Sequence, residues 1–369
     1  MNSSESLKTK KSYRNKTKLS IILLLVSAIL FFMAKYIAGF SNLYYKYIYL
    51  ILVNTIARAF SLVQISVYEI ILYAFCAFVI IKIIMFIYLK LRERITFKEI
   101  ILKSITDMLI YLSLFIFLNV ISQGINSFKD DFVQLTNLNI NDTSEEKLIE
   151  LCEYLKNNIN ELDNKIDKDD LGFLKLDNNV KQHGIENMEN LGETYFCLQG
   201  FYPNPKPYIF SKIMSYQLLE GETTFTIEAN YNNDMPKWNV PSTICHELSH
   251  IRGFNNEDEA NYISFLSCIN SKSYEYQYSG YLMAYTYCMN DLYRINLDAF
   301  KKINSDLSNN VKNELKNDSN YWSKYEGGIS DLYNKTYDVL LKMGGQEAGI
   351  ASYNGVVKLL VSGYKVQFF

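Results

Sequence analysis

The chain is sparing with the residues that most often mark chemistry. Its 369 residues hold three histidines and five prolines, and its six cysteines include no C-x-x-C pair. Cys76 falls in an apolar segment, which leaves an odd number of cysteines outside it and argues against a full disulfide framework. Cys245 and Cys268 read as two buried thiols, with a bridge between them as the alternative. The glycines at Gly344, Gly345 and Gly349 are followed by no Lys-Ser/Thr, so they do not make a phosphate loop. The first apolar run lacks a small-x-small cleavage site and is followed by further apolar segments, which argues against a removable signal peptide. After the front of the chain acidic residues outnumber basic ones. Through Lys103 there are fifteen Lys or Arg against four Glu, net +11, which leaves −13 for the rest of a chain of net charge −2. An acidic remainder argues against nucleic acid as a partner.

What is abundant is apolar: 49% of residues, with 15% aromatic, high for a soluble protein and concentrated near the front. After a basic start (Lys8, Lys10, Lys11, Arg14, Lys16, Lys18), residues 19–40 are long and apolar enough for a membrane span, and so are 67–89 and 105–125. Lys82 lies near enough to the end of the second run for its ammonium to reach the headgroups. Residues 44–62 are interrupted by Lys46, Asn54 and Arg58 and crowded with tyrosine, which fits an interfacial helix better than a span. The basic amino terminus and the basic loop at 90–104 are two crossings apart. The positive-inside rule therefore places both in the cytoplasm and everything after 125 outside it. The expected division is a membrane domain, 1–125, and an extracytoplasmic domain, 126–369.

The second domain reads as mainly helical. Residues 143–168 give an amphipathic helix with Leu148, Leu151, Cys152, Leu155, Ile159 and Leu162 on one face. His183 stands alone among polar residues and reads as a surface histidine. Residues 201–210 hold three of the five prolines and are expected to be extended. Thr223 to Tyr231 alternates and is β-branched, the best strand of the chain. Through Thr223, Phe225, Ile227 and Ala229 it is a candidate to pair with an extended peptide; an ordinary hairpin strand is the equal alternative. Residues 304–320 are polar, an exposed loop or surface helix.

Two of the three histidines sit in His246-Glu247-Leu248-Ser249-His250. At i and i+4 on a helix both imidazoles face one way and can grip one metal ion, while Glu247 is placed to act on water at the ion. Gly253 can end that helix in the left-handed conformation, and Asn255 or Asn256 can cap the next, which opens with Glu257, Asp258 and Glu259. Either Glu257 or Glu259 could supply a third ligand. Glu257 shares a face with Ala260, Asn261, Ser264 and Cys268, small or polar residues that permit close approach; Glu259 shares its face with Tyr262, Ile263 and Leu266, ordinary core. Facing favours Glu257, and Asn261 one turn on could hold a ligand histidine by its other ring nitrogen. Tyr353, Arg294 and His183 are the chemically suitable oxyanion partners, with none preferred.

H-E-L-S-H followed by E-D-E-A-N-Y resembles the gluzincin kind of zinc metallopeptidase, whose second helix reads E-x-x-A-D or E-x-x-A-N. That resemblance also implies Glu257 as the ligand and a zincin-like domain. H-E-x-x-H-x-x-G is shared with the metzincins too, but Asn256 stands where their third histidine would be. Over nearly its full length the chain is similar to the bacterial membrane family known as domain of unknown function 3810, in its early apolar segments, P-N-P-K-P, F-T-I-E-A-N, C-H-E-L-S-H-I-R-G-F, E-D-E-A-N and S-Y-N-G-V-V-K-L-L. The expectation is a zinc metallopeptidase of the bacterial cytoplasmic membrane with one Zn2+ and a peptide or protein substrate. A metal-binding scaffold or receptor without catalysis is the alternative, which the intact Glu247 disfavours.

Overall fold

A computed structural model describes residues 3–92, 96–140, 144–343 and 355–364. The chain is mainly helical and divides into two compact units, residues 1–49 with 67–129, and residues 50–66 with 130–369. The segment read as an interfacial helix is helical from Phe40 to Ser61, with π-helical turns at Tyr45–Tyr49 and Val53–Ala57. Its second half thus belongs with the C-terminal unit rather than with the apolar helices.

In the first unit the apolar runs form α1 (Ser3–Tyr36), α2 (Val67–Leu91) and α3 (Phe97–Asn119). Three helical stretches here, Ser12–Tyr36, Val67–Leu91 and Ile100–Phe128, are long and apolar enough to cross a membrane. Their outward faces are leucine, isoleucine and phenylalanine, half exposed or more at Leu25, Ile29, Phe32, Ile81 and Ile84, the surface a lipid solvent requires. Lys82 does not point along its helix to a headgroup. Its Nζ lies 3.2 Å from Asp107 Oδ2, and Lys16 Nζ is 2.5 Å from the other carboxylate oxygen. A buried carboxylate on a neighbouring helix offers the ammonium a full counter-charge, which an apolar environment makes worth more than a stretch toward solvent.

The second unit is built around a buried helix. Its longer helices among the described residues are α4 (Glu145–Leu162), α5 (Val180–Thr194), α6 (Asn239–Ile251), α7 (Glu257–Ile269), α8 (Tyr274–Ile295), α9 (Leu297–Ser305), α10 (Asn309–Trp322), α11 (Gly328–Met343) and α12 (Gly355–Gly363). α4 buries the six residues that its periodicity marks, is capped by the Ser144 hydroxyl, and lies along α8. Polar residues 304–320 are α10 in the main, not a loop. The turn between α11 and α12 lies outside the described residues. α6 is covered by α5, α7, α8 and the sheet, and twelve of its thirteen residues are buried. Small residues let α7 approach it: Ser264 Oγ donates to the Ser242 carbonyl (2.6 Å), and Ser267 Oγ lies 3.4 Å from Cys245 Sγ. Cys245 and Cys268 are buried free thiols.

The sheet has three short strands, β1 (Lys206–Pro207), β2 (Gly221–Thr223) and β3 (Ala229–Tyr231), in the order β1-β3-β2, with β3 parallel to β1 and antiparallel to β2. The single strand expected over Thr223–Tyr231 is therefore a hairpin: Thr223 ends β2, Ala229 begins β3, and Phe225 and Ile227 sit in the turn. Thr224 and Thr226 hydroxyls bond each other (2.9 Å), and the Ile227 amide donates to the Thr224 carbonyl (2.9 Å). Ile227 takes φ +56°, costly for a β-branched residue, and its side chain is fully buried. Burial of that side chain outweighs the local preference. Below the sheet, Lys206 and Glu228 form a buried ion pair (2.5 Å), and Lys206 also donates to the Phe60 carbonyl (2.8 Å).

Candidate metal centre

The corner between α6 and α7 assembles the site. The helix stops in a six-to-one hydrogen-bonded turn: Gly253 has φ +73°, its amide donates to the His250 carbonyl (2.9 Å), and the Phe254 amide donates to the Ser249 carbonyl (3.3 Å). That turn brings the Phe254 carbonyl back over the helix, where it accepts the His250 Nδ1 proton (2.7 Å). From the second helix, Asn261 Oδ1 lies 2.9 Å from His246 Nδ1 and plays the same part. With both Nδ1 atoms so engaged, both Nε2 atoms are turned into the corner, where they could serve as ligand atoms.

Three donor atoms converge there. His246 Nε2 and His250 Nε2 are 3.0 Å apart, and Glu257 Oε2 lies 3.1 Å from the first and 3.8 Å from the second. Bonds of about 2.0–2.1 Å in a tetrahedral zinc site place ligand atoms roughly 3.3 Å apart, so the set fits a small divalent cation without rearrangement. Two nitrogen lone pairs at 3.0 Å also demand positive charge between them or on one of them. In the metal-free protein that charge is a proton. Burial opposes a charged His246, but the hydrogen bond and charge of Glu257 outweigh it and push its pKa up to about 9. Burial and the charge on His246 push His250 down to about 4, and Glu257, despite burial, is drawn down to about 2 by the two imidazoles.

Glu247 stands beside the histidines, with a carboxylate oxygen within 4.8 Å of a ring nitrogen of each. Its Oε2 accepts the Thr223 hydroxyl (2.7 Å), and its backbone carbonyl accepts the same hydroxyl (3.1 Å). Burial pushes its pKa up to about 8. Gly221, two residues before Thr223, lies against it so closely that a Cβ there would stand 2.4 Å from Glu247 Oε1. β2 is thus the strand that borders the acid, and it is an edge strand.

The structure separates the two acids at the head of α7. Glu257 joins the histidines, whereas Glu259 accepts the Phe132 amide with Oε1 (2.5 Å) and the Asn256 amide group with Oε2 (3.3 Å). It satisfies the start of the short helix Phe132–Thr136, a partner 127 residues away in sequence. Two tyrosines complete the corner without a sequence signal. Tyr337 of α11 donates to Glu257 Oε1 (2.8 Å). Tyr287 of α8 lies beside Asn261 in the field of Glu220 and Glu257, and burial with those charges pushes its pKa up, so the hydroxyl keeps its proton. Of the suggested oxyanion partners, Arg294 points outward, 65% exposed and 3.7 Å from Asp291. His183 belongs to a different cluster, with Asp177 and Glu275, and Tyr353 lies outside the described residues.

Fold and site together describe a mainly helical chain with three apolar helices and a buried cluster of two imidazoles and a carboxylate. The chain belongs to the family described as "Protein of unknown function (DUF3810)", which matches residues 44–361. No curated protein and no solved structure matches it.

Proposed function

We propose that the chain is a membrane-anchored zinc-dependent metallopeptidase. The observation that carries this reading is the convergence of His246 Nε2, His250 Nε2 and Glu257 Oε2 within 3.0–3.8 Å of one another, with Glu247 held alongside. His246, His250 and Glu257 would hold the ion. When bound, zinc supplies a Lewis acid that polarises a carbonyl and makes water a nucleophile near neutral pH. Glu247, buried and a stronger base than a surface carboxylate, takes the proton of the attacking water and returns it to the leaving amine. Asn261 and the Phe254 carbonyl keep the imidazoles in the ligating tautomer. Tyr287, protonated and facing the same corner, donates to the oxyanion. A peptide substrate would pair along the edge of β2, whose Thr223 already touches Glu247; Ile227, buried in the turn, and Ala229, in the central strand, take no part.

The apolar helices would span the cytoplasmic membrane with the amino terminus inside and the catalytic unit outside, the orientation that the basic residues in the first turns of α1 and between α2 and α3 favour. Elemental analysis tests the metal site: His246→Ala should lose an equivalent of zinc, and undiminished zinc ends the proposal. Glu247→Gln should keep the metal and lose about 10²–10⁴-fold in turnover of a peptide pool read by mass spectrometry; retained turnover rejects its role. A reporter fused after Phe369 should be active outside the cytoplasm, and cytoplasmic activity inverts the orientation.

A further inference from the structure

A second set of ligand-type side chains lies away from the first. A carboxylate oxygen of Asp177, a ring nitrogen of His183 and a carboxylate oxygen of Glu275 fall within 4.8 Å of one another. Asp177 precedes α5, His183 is in its first turns, and Glu275 is in the first turn of α8. Part of this cluster is internally satisfied: Glu275 Oε2 accepts the Asp177 amide (2.8 Å), and Asp177 Oδ1 accepts the Asn179 amide (3.0 Å).

The rest is not. Glu275 is 8% exposed, and among the described residues its Oε1 has no hydrogen-bond partner; the same holds for His183 Nδ1. These two buried atoms face each other at 3.7 Å, too far for a hydrogen bond and about the separation of two atoms bound to one cation. The two lie within ion-pair distance but leave both buried atoms without a hydrogen bond, which is costly, and a cation shared between them satisfies both. The Tyr276 ring lies edge-on to His183 at 6.5 Å, and its hydroxyl donates to the Val180 carbonyl (2.5 Å), which fixes the start of α5 against α8. The imidazole is therefore positioned rather than free to swing away.

We propose that Asp177, His183 and Glu275 form a second divalent-cation site, separate from the His246 centre, which ties the start of α5 to the start of α8. One imidazole with two carboxylates suits a first-row transition cation such as Zn2+ or Mn2+ better than Ca2+, which takes six or more oxygens. α5 covers α6, so this clip braces the helix that bears His246 and His250 without touching the chemistry.

The test is cation stoichiometry on the full-length protein in detergent, stripped with chelator and titrated with zinc chloride, and separately with manganese or calcium chloride. The wild type should bind two zinc equivalents, His183→Gln and Glu275→Gln one each, His246→Ala one, and His183→Gln with His246→Ala none. Zinc should still raise the melting temperature of His246→Ala, whose remaining site is this one. Two equivalents retained in both His183→Gln and Glu275→Gln overturn the inference, as does an absent thermal shift in His246→Ala. A single wild-type equivalent that His246→Ala abolishes and His183→Gln leaves intact overturns it too. The reverse pattern, lost in His183→Gln and kept in His246→Ala, overturns instead the proposed peptidase centre. Calcium bound as tightly as zinc rejects the assigned cation class.

Discussion

Gly221→Ala adds one methyl group where the structure has no room for it. The new carbon would stand 2.4 Å from Glu247 Oε1 and 2.8 Å from both Glu247 Cγ and Thr243 Cγ2. Non-bonded carbons rest at about 3.5–4.0 Å, so something must move by roughly 1 Å. Glu247 has little freedom to yield, being 3% exposed with Oε2 tied to the Thr223 hydroxyl at 2.7 Å. The backbone at Gly221 is not in the left-handed region, so the effect is steric and not conformational. Overpacking of this kind costs about 1–3 kcal/mol, which for a unit of this size lowers the melting temperature by about 2–12 °C. A shift of about 1 Å in a catalytic group costs about 100-fold in turnover, while the three ligands are untouched. The expected result is full zinc content, a modestly lowered melting temperature and peptide turnover reduced about 100-fold. Adding Thr243→Ser removes one of the two clashing partners, and should recover stability but not turnover. Wild-type turnover in Gly221→Ala would refute the assignment of Glu247, because its position would then not matter.

Asn261→Ala removes the hydrogen-bond partner of His246 Nδ1, and zinc affinity should fall about 10–100-fold in a competition with a chromogenic chelator; unchanged affinity would show that the imidazole needs no support. Although burial opposes it, the hydrogen bond and charge of Glu257 push the His246 ring up to about 9 when no metal is bound, and zinc binds only the neutral ring. Apparent zinc affinity should therefore rise about tenfold per pH unit from 7 towards 9, then flatten, with a proton released per ion in calorimetry at pH 7; pH-independent binding would contradict the ion pair with Glu257. Lys206→Met leaves Glu228 buried with its ammonium partner gone, which should cost about 3–5 kcal/mol, while Lys206→Met with Glu228→Leu should recover most of the lost melting temperature. A single variant as stable as the wild type would refute the pairing.

The sequence carries the parts of this molecule that depend on spacing along one helix. Apolar runs of bilayer length, the buried face of α4 and the two imidazoles at i and i+4 all follow from period and length. The choice of Glu257 over Glu259 as the acid beside the histidines was legible as well, because Ala260, Asn261, Ser264 and Cys268 are small or polar and mark the approach face. What could not be read depends on partners far along the chain. Glu259 meets the Phe132 amide across 127 residues and Tyr337 meets Glu257 across 80, and no local pattern announces either. The turn at Phe225–Ile227 was hidden because it contains no glycine, proline or asparagine; it is held by threonine hydroxyls and a buried isoleucine. Asp107 was hidden for a similar reason: a single acid inside an apolar run acquires meaning only when Lys16 and Lys82 are seen to close on it.

The way the first helix of the site ends ties the fold to the geometry of the corner. In a small zinc finger the metal organises an otherwise unfolded chain, whereas α6 is held by packing against α5, α7, α8 and two strands. The hydrogen bonds that stop it at Gly253 also deliver the carbonyl that orients His250, so fold and ligand geometry share one cause. Under the proposed function, loss of the cation would leave His246 to take a proton beside Glu257, 3.1 Å away, a charge of the same sign in nearly the same place. On that same proposal the scaffold preorganises the three donors, and a bound ion would add reactivity to a corner that packing already shapes.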